Sequence, residues 1–286
     1  MSNQQKIFPL HGWIGIVLII IFWYLNWTLD GLRTYILFFP LWLGYALAVD
    51  GLVFFRKNTS LLKRNWKKYI SLFLISAPAW WLFELFNLRT QNWIYDGKQF
   101  FSQLEYAVYA TLSFSTVIPA VFGTAEFVST FNWINKIKID KRILPTKKFL
   151  IIHFITGLIM LTLVMVHPTI FFVLIWLSVF FILEPVNVWF KNNSIYNYLK
   201  IGNWKPVLSL WIGCLICGFF WEMWNYFSYP KWIYDIHFAN FLYIFEMPLL
   251  GYLGYIPFAL ELLTLYYFVT GFTNNKSSTY IFSIED

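Results

Sequence analysis

The stretch GWIGIVLIIIFWYLNWTL, residues 12–29, holds no Asp, Glu, Lys or Arg and is bounded by His11 and Asp30. Crossing the hydrocarbon core of a bilayer as a helix takes roughly 20 predominantly apolar residues, and this run supplies them. Outward from it lie seven more runs of the same kind, at 35–55, 68–88, 106–130, 149–166, 169–190, 206–228 and 248–270. Backbone amides in lipid must be satisfied within the spanning structure, which leaves helices or a closed barrel. Barrel strands would alternate apolar and polar residues, and these runs do not. The expected fold is therefore all-α: a polytopic integral membrane protein with eight transmembrane helices. His167 and Pro168 alone separate the fifth and sixth runs, which predicts a tight hairpin there.

Composition agrees. The chain has 286 residues, 59% of them hydrophobic and only 12% charged, more apolar surface than a soluble core can absorb. The basic residues gather on alternate loops. Arg56, Lys57, Lys63, Arg64, Lys67 and Lys68 follow the second run, Lys136, Lys138, Lys141, Arg142, Lys147 and Lys148 the fourth, and Lys191, Lys200 and Lys205 the sixth. With Lys6 and Lys276 they share one side, opposite only Arg33, Arg89, Lys98 and Lys231. Basic short loops stay inside, so a multi-pass protein of the cell membrane with cytoplasmic N- and C-termini is expected. The net charge of +7 is accounted for by topology and anionic headgroups, and no nucleic-acid partner is expected. Residues 12–29 lack a small-residue cleavage site and read as a retained anchor.

The chain also reads as one transmembrane domain built from two parallel four-helix repeats, at 9–130 and 145–270, with a tail at 271–286. Leu41-Trp42-Leu43 through Asp50 to Lys57, Asn58 and Ser60 lines up with Ile175-Trp176-Leu177 through Glu184 to Lys191, Asn192 and Ser194. Phe83-Glu84-Leu85-Phe86-Asn87 pairs with Trp221-Glu222-Met223-Trp224-Asn225, Trp93-Ile94-Tyr95-Asp96 with Trp232-Ile233-Tyr234-Asp235, and Ile118-Pro119 with Ile256-Pro257. An even number of spans per half makes both halves enter the membrane in one direction. Pro119 and Pro257 are expected to kink their spans and leave the carbonyls of Ser115 and Leu253 in need of partners.

The repeated phrase Glu-x-x-Asn followed by Trp-Ile-Tyr-Asp is the strongest chemical signal. Residues three apart share a helix face, so Glu84 with Asn87, and Glu222 with Asn225, each set a carboxylate beside an amide. One reading is an outward pocket with Glu84 and Glu222 as an acid–base pair, Asn87 and Asn225 orienting them or a ligand, and Trp93, Tyr95, Asp96, Trp232, Tyr234 and Asp235 forming its walls. The other is that each Glu holds its own outer loop while the aromatics form an interfacial belt. Glu246 suits the first turn of the eighth span, as Glu105 suits the fourth. Glu261, roughly 20 Å into its span, is a ligand-site candidate by depth alone. Asp50 and Glu184 read as acids snorkelling toward the basic loops. His153 and His167 read as incidental, and His237 as a minor pocket candidate. Cys214 and Cys217 are half a metal site at best, so no metal is expected; with neither a phosphate-binding loop nor a nucleophile elbow, no cofactor is expected either.

The phrases Trp80-Trp81-Leu82-Phe83-Glu84-Leu85-Phe86-Asn87 and Phe245-Glu246-Met247-Pro248 to Glu261 resemble, over most of the chain, a bacterial multi-pass membrane-protein family of uncharacterised function. The chain is also similar in design to membrane-embedded lycopene cyclases and carotenoid hydratases, repeated helical proteins with acidic residues beside aromatics near helix ends. The adjacent acidic pair of those cyclases has no counterpart, since Leu85 follows Glu84 and Met223 follows Glu222. Three functions fit: an enzyme or binder of a lipidic, isoprenoid-like small molecule among the membrane lipids, a transporter or channel for a small solute or ion, and a structural membrane subunit. The oligomeric state is not legible.

Overall fold

Residues 7–137, 139–236, 238–273 and 280–282 are described by the structure, a computed structural model. Lys6, Lys138, His237 and, in the tail, residues 274–279 with Lys276 and residues 283–286 lie outside the described residues. The chain is mostly helical, and eight helices are long and apolar enough to cross a membrane: Leu10–Thr28, Thr34–Lys57, Trp66–Thr90, Gln103–Ser129, Lys147–Val166, Pro168–Trp189, Lys205–Tyr226 and Leu249–Gly271, here spans 1 to 8. This is a membrane-embedded protein. His167 is the sole residue between spans 5 and 6, the tight hairpin its sequence predicts.

Polar residues set where the spans begin. The Asn65 side chain accepts the Lys68 N–H at the start of span 3, and Thr146 accepts the Phe149 N–H at the start of span 5. Ser102 and Glu105 form a reciprocal capping box at the start of span 4, filling two N–H groups that the helix itself cannot. Small residues set how closely spans approach. A side chain at Gly15 would come within 2.6 Å of the Gly44 carbonyl, so spans 1 and 2 meet backbone to backbone. Span 5 packs along span 6 in turn, and span 4 lies against spans 2, 3 and 7, with nearly all of Val117–Ser129 buried.

The links 58–65, 130–146 and 190–204 share one end of the bundle, the basic end. Two acids there behave differently from their expected snorkelling. Asp50 and Glu184 are buried and turn inward: Asp50 accepts Ser60 Oγ at 2.7 Å and the Leu62 N–H at 3.0 Å. Glu184 accepts Ser194 Oγ and the Ile195 N–H, both at 2.6 Å, and Thr264 Oγ1 at 2.7 Å. Each carboxylate thus folds the following loop back onto its span, because donors at this depth are supplied by the chain rather than by water. Arg64 clasps the buried Glu126 with both guanidinium nitrogens, at 2.6 and 3.1 Å. Residues 280–282 return to this end, where Tyr280 donates to the Leu61 carbonyl at 3.1 Å.

Spans 4 and 8 are each broken, which changes the role expected of their prolines. Span 4 runs as Gln103–Phe114 and then Val117–Ser129, and span 8 as a tighter turn over Leu249–Gly254 and then Tyr255–Gly271. Pro119 and Pro257 fall in the first turn of the second segments, where a helix has no intrahelical use for their missing N–H groups. At the break in span 4 the Phe114 carbonyl, as well as that of Ser115, lacks the helical donor four residues on. Ser76 of span 3 bridges the gap, donating to Phe114 O at 2.6 Å and accepting the Ile118 N–H at 3.0 Å.

Candidate functional site

At the end opposite the basic loops, the two Trp-Ile-Tyr-Asp phrases become strands that pair with each other. Strand β1 (Trp93–Asp96) runs antiparallel to β2 (Lys231–Tyr234), with Trp93 opposite Tyr234, Ile94 opposite Ile233 and Tyr95 opposite Trp232. Exchanging the two phrases leaves that register unchanged. Period two then sends Trp93 and Tyr95 of β1, and Trp232 and Tyr234 of β2, to one face of the ribbon and the isoleucines to the other. The carboxamides fix where each strand starts. Asn87 Nδ2 donates to Trp93 O at 2.7 Å, and its Oδ1 accepts the Asn92 and Trp93 N–H groups at 2.9 and 3.3 Å. Asn225 Nδ2 donates to Trp232 O at 2.7 Å, and its Oδ1 accepts the Trp232 N–H at 3.0 Å. Both amides are occupied as latches, so the expected role of orienting a carboxylate or ligand is corrected to one of holding the ribbon.

The carboxylates stand one helical turn before those latches and meet different surroundings. Glu84 is half-buried, and its Oε1 accepts three donors: Trp80 Nε1 and Trp93 Nε1, both at 3.0 Å, and Tyr95 OH at 2.6 Å. Glu222 is fully buried, and its Oε1 accepts Tyr234 OH at 2.8 Å and Tyr255 OH at 2.6 Å. Its Oε2 is buried with no partner among the described residues. The local cause is a pair of exchanges, Trp80 against Gly218 and Val117 against Tyr255. Where the first phrase has Trp80, four before its Glu, the second has Gly218, and a Cβ there would sit 2.4 Å from the Tyr255 ring. The glycine admits Tyr255 as the donor that replaces the indole.

Burial holds the phenols of Tyr95 and Tyr234 well above their ordinary value, and the neighbouring carboxylates push the same way. Both therefore remain O–H donors.

Between the ribbon and spans 2, 3, 4, 6, 7 and 8 lies a cavity of about 470 Å³. Its wall is aromatic, with Trp80, Trp93, Trp176, Trp221, Trp232 and Phe258 among the rings. That volume and lining suit a small molecule with a large apolar body. Of the residues expected at a pocket, Trp93, Tyr95, Glu222, Trp232 and Tyr234 line it. Glu84 does not, although its three donors do, so it stands behind the wall and the pair of facing carboxylates is corrected to one. Asp96, opposite Lys231 in the ribbon, and Asp235, exposed with its N–H on Asn92 O, also fall outside the lining. Glu246 lies at the tip of a hairpin between β3 (Tyr243–Ile244) and β4 (Met247–Pro248), where it pairs with Lys231 Nζ instead of opening span 8. Glu261 is buried deeper, accepts the Val179 N–H at 3.1 Å, and lines neither this cavity nor the one near the basic end.

Reasoning from sequence missed Tyr106, Trp176 and Tyr255. The lining atoms without partners are informative: Glu222 Oε2, Trp232 Nε1 and Tyr106 OH are all buried and unbonded among the described residues. Leaving such groups unpaired costs about 1–3 kcal/mol each, a cost that a ligand with a polar end would remove. No group of three metal-ligating side chains gathers among the described residues. Neither a family model, nor a curated protein, nor a solved structure matches the chain.

Proposed function

We propose that the protein is a membrane-embedded enzyme or binding protein for a lipidic, isoprenoid-like molecule, seated in the aromatic cavity with its polar end at Glu222. The observation that carries this reading is the unpartnered Oε2 of Glu222 in the wall of an otherwise apolar chamber. With Oε1 held by two phenols, Oε2 is the atom left to exchange a proton or hydrogen-bond with the ligand. Trp232 Nε1 and Tyr106 OH supply donors at the same chamber. Glu84 positions the ribbon aromatics and takes no direct part.

The same proposal places the protein in the cell membrane as two parallel repeats, basic end inward, with the cavity toward the outer side. Charge placement and a ribbon register that is unchanged when the two phrases are exchanged support this. The transport reading has less behind it, because Glu261 is engaged by span 6 and lines neither cavity.

The test compares lipid and pigment profiles of cells carrying the wild type, a deletion and Glu222→Gln, with membrane levels of the variant matched. Glu222→Gln reproduces the deletion profile if the reading is right. A deletion that alters the profile while Glu222→Gln restores it in full contradicts the reading.

A further inference from the structure

A second cavity, of about 410 Å³, lies toward the basic end between spans 5, 6, 7 and 8. Its walls are mostly apolar, with Val207 and Leu260 inside and Ile152, 53% exposed, at its mouth. Two polar atoms in its wall are buried and without partners among the described residues: His153 Nε2 and Trp211 Nε1. His153 is itself only 6% exposed, and its Nδ1 lies 2.7 Å from Tyr196 OH. Burial raises the Tyr196 phenol above its ordinary value, so it keeps its proton. As donor to Nδ1 it leaves Nε2 carrying the ring hydrogen, and the groove then offers two N–H donors.

Their depth is matched. Spans 5 and 7 run in the same direction, and each residue lies about six positions into its span, roughly 9 Å from the basic end at helical rise. Three chain neighbours of the lining are basic and exposed. Exposed Arg142 precedes lining Ile143, exposed Lys148 precedes Phe149, and exposed Lys200 follows Leu199, with Asp140 the one acid on links 130–146 and 190–204. An apolar groove, paired donors below the interface and cations at its edge match the acyl chain, ester carbonyl and phosphate of one kind of molecule.

We propose that this groove is a specific site for an anionic glycerophospholipid of the bilayer, with an acyl chain against Val207 and Leu260, an ester carbonyl at His153 Nε2 and Trp211 Nε1, and the phosphate at the basic rim. The site is separate from the aromatic cavity and does not depend on what that cavity binds.

The full chain, reconstituted into nanodiscs holding equal amounts of phosphatidylglycerol and phosphatidylcholine, is re-extracted and its retained lipid counted by native mass spectrometry. The wild type is expected to retain phosphatidylglycerol in preference to phosphatidylcholine. Trp211→Phe, which removes a donor that no protein group uses, is expected to fold normally and cut that retention roughly tenfold, the size of one hydrogen bond to a strong acceptor. Ile152→Trp, which fills the mouth from an exposed position, is expected to abolish it. Equal retention of the two lipids by the wild type overturns the proposal, as does wild-type retention of phosphatidylglycerol by both variants.

Discussion

The surroundings of Glu84 and Glu222 start from nearly the same words and end as different machines. Each carboxylate stands three residues before an asparagine that latches a Trp-Ile-Tyr-Asp strand, and each accepts the tyrosine of its own strand. Glu84 then gathers two indoles as well and is walled off from the cavity. Glu222 has Tyr255 in place of an indole, and its second oxygen is left over. The difference teaches that placement separates the two: Glu84 takes its three donors on Oε1 and stands outside the cavity lining, whereas Glu222 lines the chamber with a buried, unbonded Oε2. Two exchanges accompany the difference, Trp80 against Gly218 one turn earlier and Val117 against Tyr255 in the facing span.

The comparison can be broken most forcefully at Glu84. Glu84→Leu strands two indole N–H groups and a phenol inside the protein and is expected to cost about 3 kcal/mol or more. Thermal unfolding in detergent measures this, and Glu84→Gln, which keeps an acceptor, should recover much of the loss. A neutral Glu84→Leu would remove the structural role assigned to that residue.

Next in size is the glycine. Gly218→Ala drives a methyl into the Tyr255 ring and is expected to destabilise by about 1–3 kcal/mol through overpacking. Gly218→Ala with Tyr255→Ala relieves the clash, so the pair should unfold closer to the wild type than the sum of the two single changes. Simple additivity in that double-mutant cycle would mean that the two residues do not share the space.

The smallest effect is also the sharpest contrast, because one substitution is made at two matched places. Trp93→Phe deletes a hydrogen bond to Glu84 and should cost about 1 kcal/mol, whereas Trp232 Nε1 stands beside Glu222 without a hydrogen bond of normal geometry among the described residues, so Trp232→Phe should change stability by less than about 0.5 kcal/mol. Ligand retention should show the opposite order, with Trp232→Phe the more damaging. Equal effects of the two substitutions on both readouts would erase the distinction between the nests.

Much of this was legible in the sequence. The eight spans follow from long apolar runs with few charges, since lipid leaves a backbone no other way to satisfy itself. The Glu-x-x-Asn and Trp-Ile-Tyr-Asp phrases lie at the end of the bundle that holds the ribbon and the aromatic cavity. The pairing of one phrase with the other was not legible, because antiparallel register is a contact between segments far apart in the chain. Nor was the asymmetry, which depends on Tyr255, a residue of span 8, entering space vacated by Gly218 of span 7. Its trace was available in the alignment of Trp80 with Gly218, a large side chain set against none. Pro119 and Pro257 misled because a proline in an apolar run looks the same whether it kinks one helix or opens the second half of a broken one. The Ser76 bridge marks the opening ahead of Pro119, and the tighter turn over Leu249–Gly254 marks the change of winding ahead of Pro257.

The most direct measurement is an experimental structure of the protein extracted with its native lipids, without detergent exchange. The account predicts an elongated apolar molecule in the aromatic cavity, its polar end within hydrogen-bond distance of Glu222 Oε2 and Trp232 Nε1, and Glu84 bonded only to Trp80, Trp93 and Tyr95. A cavity closed by collapse of its aromatic walls, with Glu222 Oε2 bonded to a protein group, would contradict it.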